Sequence, residues 1–128
     1  PKHIKMSPKR LLAGIAIAFT TFSACTTEPN LENVPEIKFS TDVQRILSSH
    51  CNFEGCHGGV SGGEFSLQTY ADVMGYVQSG DAHGSNLYKV ITKRGFVEER
   101  MPPSGYQTVS AEDVKLIYWW IEQGAKNN

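Results

Sequence analysis

The chain has 128 residues, with 12 basic and 13 acidic side chains and a net charge of −1. That length fits one small domain, and residues 25–128 alone carry 8 basic against 13 acidic side chains, net −5. An acidic chain with no basic cluster argues against nucleic acid as a partner and for protein partners that present a basic patch.

Residues 1–24 read as an export leader. Lys2, Lys5, Lys9 and Arg10 make a basic start, "LLAGIAIAFTTF" is an apolar run, and "SAC" closes it with small residues. The run is shorter than the ~20 apolar residues that a membrane span needs. "FSAC" resembles the lipobox of bacterial lipoproteins, whose cysteine takes a diacylglycerol and becomes the mature N-terminus; Phe22 stands where leucine is more usual. That resemblance implies lipidation at Cys25 and an exported protein, periplasmic or at the cell surface, anchored to a membrane by its lipid. The bland alternative is a free Cys25 in a discarded leader. Residues 25–36 hold Pro29, Pro35 and three glutamates and read as a flexible tether. Its last eleven residues span about 36 Å at full extension. The folded domain is then residues 37–128.

Four helical segments follow. "TDVQRILSSH" opens with a capping box, Thr41 to Gln44, and places Val43, Ile46, Leu47 and His50 on one face. "TYADVMGYV" repeats the device with Thr69 and Asp72, followed by Val73, Tyr76 and Val77. "SNLYKVITK" groups Leu87, Val90 and Ile91, with Gly95 as its stop. "SAEDVKLIYWWIEQG" has Ser110 and Asp113 as a third box, a stripe of Val114, Ile117, Tyr118 and Ile121, and Gly124 at its end. Glycine-rich loops join these segments and no run alternates over strand length, so the expected fold class is all-α. Such a small helical domain with so much glycine buries little apolar area and calls for a staple.

Between the first two helices stands "SSHCNFEGCHGG". Cys51 and Cys56 are separated by four residues and His57 follows the second directly. Two thiols can add to the two vinyl groups of a porphyrin, and an imidazole beside the second can bind its iron. The usual motif for that chemistry is Cys-x-x-Cys-His; here the loop is two residues longer, and Gly55 helps it return. Two other readings remain open. The thiols could pair as a disulfide in an oxidising compartment, or join a histidine around zinc, although a fourth zinc ligand is hard to find.

More of the chain matches one family. "FSTDVQRILSSHCNFEGCHGG", "SNLYKVIT", "RMPPSGY" and "SAEDVKLIYWWIEQGAKNN" together resemble the c-type cytochromes over residues 37–128. The resemblance implies a cytochrome c-like bundle around one covalent haem c per chain, held by Cys51 and Cys56. It implies His57 and Met101 as axial iron ligands, with Pro102 and Pro103 stiffening the methionine loop. The function implied is electron transfer between a redox protein donor and acceptor, with no catalytic residue. The alternatives are a haem enzyme or sensor with an open iron site, and a structural zinc or disulfide module. His83 is expected in an exposed turn, His50 packed on its helix, and Arg100 within reach of a haem propionate. Trp119 and Trp120 should face different sides of the last helix.

Overall fold

The computed structural model describes residues 29–58, 66–92 and 100–128. The leader, Cys25, Gly95 and the rest of residues 59–65 and 93–99 lie outside the described residues. The fold is all-α, as the patterning predicts: α1 (Gln44–His50), α2 (Tyr70–Met74), α3 (Asn86–Thr92) and α4 (Ala111–Glu122). Among the described residues there is no strand, only an isolated bridge between Gln78 and Asp81.

The first helix starts earlier than the Thr41–Gln44 box predicts. A π-wound turn, Phe39–Val43, leads directly into α1. Its opening N–H groups find other partners. Lys38 N donates to the Asp42 carboxylate (2.8 Å), while Phe39 N and Ser40 N donate to the side-chain and backbone oxygens of Asn128 (2.9 Å each). The Gln44 side chain turns away and donates to the Gln68 carbonyl. The earlier start buries Phe39, whose ring lies 5.6 Å from Trp120 and 5.2 Å edge-on from Tyr70.

Trp120 is fully buried at the centre of the core, with Val43, Ile46, Leu47, Ile117 and Ile121 also buried. Its indole N–H donates to Lys126 O, and the Tyr70 hydroxyl donates to Ala125 O. Trp119 takes the other side, partly buried, with the Lys115 ammonium 4.4 Å above its ring.

Helix α2 has the predicted reciprocal box between Thr69 and Asp72. Helix α4 has half of its own: Ser110 Oγ accepts from Asp113 N (3.0 Å), while the Asp113 carboxylate accepts from Arg45 (2.7 Å) and so ties α4 to α1. Gly124 ends α4 at φ +97°, a conformation that costs glycine little. Gln123 then clasps the incoming chain, accepting from Ile37 N and donating to Pro35 O. The "SGDAHG" turn is stitched to the same end through Gly80 N to Ile121 O and Ala82 N to Glu122. This turn sets the start of α3, whose Leu87 N donates to Tyr76 O.

Candidate functional site

The widened cysteine loop closes on itself. Cys51 N and Asn52 N both donate to Leu47 O, extending the end of α1. Cys56 N (3.0 Å) and Gly58 N (3.2 Å) both donate to Phe53 O, making a tight turn through Gly55 at φ +84°. His57 N then donates to Cys51 O (3.2 Å), which brings the histidine back beside the first cysteine. The surplus residues are taken up in this turn, where Phe53, Glu54 and Gly55 are exposed. Gly58 is packed so closely on the Asn52 backbone that a Cβ there would collide with it. His57 O accepts from Leu67 N, which fixes the far side of the loop.

Residues 100–106 reach the same place and are tied to α3. Met101 N donates to Val90 O (3.0 Å), Pro102 is buried behind it, and Tyr106 N closes a turn onto Pro103 O. The two loops enclose an apolar cavity of about 220 Å³, walled by Cys51, Cys56, His57, Met101, Phe53 and Tyr106 among others. A second apolar cavity of about 90 Å³ lies toward α3, against Leu87, Val90 and Ile91. Cys51, His57 and Met101 line both.

Cys51 is buried and Cys56 half-buried, and both thiols are unpaired. Burial, and then the neighbouring Cys56, push the Cys51 thiol from the ordinary 9.0 up to about 11, so at neutral pH it is an un-ionised apolar group. His83 is exposed and stacks near Tyr88 and Tyr118, lining a different cavity from His57 and Met101. Arg100 is exposed beside Met101.

His50 does more than the helix face alone foretells. It is half-buried, with its side chain only 8 % exposed, it lines the 220 Å³ cavity, and its Nδ1 lies 3.4 Å from Gln107 O. Its Nε2 lies 3.9 Å from the Asp113 carboxylate. Burial alone would raise the carboxyl of Asp113. Hydrogen bonds from Arg45 and Ser110, with the charges of Arg45 and His50, outweigh it and hold Asp113 below the ordinary 3.8. Phe53 and Tyr106 are further wall residues that the motif reading passed over. The signal available for them was two aromatic residues inside otherwise polar or glycine-bearing loops.

This donor set suits a covalently attached haem. Two unpaired thiols, an imidazole and a thioether line one apolar cavity, and three of these four groups also border the second. The zinc reading fares worse: among the described residues no three His, Cys, Asp or Glu side chains are grouped to hold a metal ion. No helix among the described residues is long and apolar enough to cross a membrane.

Comparison with known families gives a match over part of the chain. The family described as Planctomycete cytochrome C matches residues 54–105, a stretch that includes Cys56, His57 and Met101. Comparisons with curated proteins and with solved structures found no match. The family match, on an all-α fold, supports a cytochrome c-like domain. In general terms it points to haem-based electron transfer rather than to catalysis, and it implies covalent haem c.

Proposed function

We propose that the protein is an exported monohaem c-type cytochrome that carries electrons between protein partners. Cys51 and Cys56 hold the haem by thioethers, and His57 and Met101 are its axial ligands. The observation that carries this reading is the shared wall: Cys51, His57 and Met101 border both apolar cavities, although Met101 comes from a separate loop. When bound, the haem supplies one-electron chemistry. The residues set its terms. A thioether is a soft ligand that favours ferrous iron and raises the potential. The apolar walls keep water away and act in the same direction. His83 lines a different cavity, which favours Met101 over it as the distal ligand.

Two further parts of the proposal rest on the sequence. Cys25 carries the lipid that holds the domain at a membrane, in the periplasm or on the cell surface. The redox donor and acceptor present basic patches to a chain that is net −5 over residues 25–128.

The first test is the cofactor itself. Acid–organic extraction of the purified protein should leave the colour on the polypeptide, with a pyridine haemochrome spectrum of the c type. Colour that moves wholly into the organic phase refutes covalent attachment. For the anchor, labelled fatty acid should enter the wild-type protein in a bacterium with lipoprotein machinery and be absent from Cys25→Ser. Equal labelling of both would end the lipoprotein reading.

A further inference from the structure

Among the described residues the large hydrophobic side chains that stand exposed are Phe53, at 44 %, and Tyr106, at 57 %. They come from different loops, more than fifty positions apart, yet both line the same 220 Å³ cavity. Single exposed apolar residues are ordinary, whereas two aromatics at one apolar opening mark a surface that something covers. We propose that Phe53 and Tyr106 form an aromatic rim that packs against the edge of the bound porphyrin and limits the access of water and small solutes to it. The inference rests on the haem reading above and goes beyond it, because neither residue is an anchor or a ligand.

The occupant follows from where Phe53 is fixed. Its carbonyl accepts from both Cys56 N and Gly58 N, so the residue is held at the hinge of the turn between the two cysteines. A porphyrin attached at both ends of that turn is the nearest apolar group available to the ring. Tyr106 faces the same opening from the turn closed on Pro103. Among the described residues, those that wall the cavity include no Lys, Arg, Asp or Glu, so the rim is suited to an apolar surface rather than to a charged ligand. The longer cysteine loop thereby acquires a role: its turn seats an aromatic side chain at the mouth of the site. Phe53 and Tyr106 act as positioning residues, through the solvent exposure of the cofactor, which is one determinant of its potential.

The test uses the haem-loaded ferrous protein. Ring protons of Phe53 and Tyr106, assigned with Phe53→Leu and Tyr106→Phe, should be displaced well outside the ordinary aromatic range by the porphyrin ring current. Phe53→Ala and Tyr106→Ala should each lower the reduction potential and speed reduction by ascorbate several-fold. Tyr106→Phe should restore the wild-type values, because the ring and not the hydroxyl does the covering. Ring protons at ordinary shifts, or alanine variants with unchanged potential and ascorbate rate, overturn the inference while covalent haem still stands. The exposed rings would then belong to a protein-docking face. A wild-type protein that takes up no haem overturns both readings.

Discussion

At the scale of single residues, Met101 separates a carrier from an enzyme or sensor. If its sulfur binds iron, the ferric protein has the weak red-region sulfur-to-iron band, and the ferrous protein binds carbon monoxide poorly. Met101→Ala should abolish the band, admit carbon monoxide and lower the potential, since the ligand favouring ferrous iron is gone. His83→Ala is the control and should change none of these, because His83 packs on Tyr88 and Tyr118 along another cavity. The opposite pattern would make the site bis-histidine. Rapid carbon monoxide binding by the wild type would point to an open iron. Adjacency in the chain made Cys56 and His57 legible as a unit. The meeting with Met101 is of another kind, since it depends on Met101 N finding Val90 O on α3. His50, Phe53 and Tyr106 were less legible for the same reason: a place on a cavity wall is set by how loops close, and local periodicity does not encode it.

At the scale of elements, the local rules succeeded where the partner lay nearby and failed where it did not. Thr69 and Asp72 are three residues apart and form their box as read. The box at Thr41 and Gln44 is displaced by Asn128, which is 89 positions from Phe39 and invisible to any local pattern. In α4, Asp113 would complete the box at Ser110, but Arg45 takes its carboxylate from 68 positions away. A mutational comparison along α4 makes the hierarchy measurable. Ser110→Ala removes one accepted N–H at an exposed terminus and should cost about 1 kcal/mol in denaturant unfolding. Trp120→Ala empties the centre of the core that joins Phe39, Tyr70 and α4, and should cost about 3–5 kcal/mol. Equal effects from the two would mean that the aromatic cluster is not the chief tie between α4 and the N-terminal helix.

At the scale of the whole molecule, the helices of the described residues are short, and apolar space opens between the cysteine and methionine segments. A cofactor filling that space adds several kcal/mol at about 25 cal/mol per Å² of apolar area, comparable with the ~5–15 kcal/mol of a typical domain. Protein made without haem attachment should therefore melt at lower temperature and less cooperatively than the loaded form. The cysteines sharpen this into a pH experiment. In the unloaded protein Cys51 is a buried thiol whose pKa is raised from 9.0 to about 11. The folded state holds its proton more tightly than the unfolded state does. Its contribution is thus fully present below pH 9 and is lost as pH rises through 9 to 11, a fall of about 2–3 kcal/mol at 1.36 kcal/mol per unit. Once Cys51 is a thioether it has no proton to lose, and this loss should vanish. Unfolding of the two forms, measured between pH 7 and 11 by denaturant titration, should diverge progressively above pH 9, with the loaded protein the flatter. Parallel curves would mean that Cys51 titrates alike in both forms, and so that it is not attached to the haem.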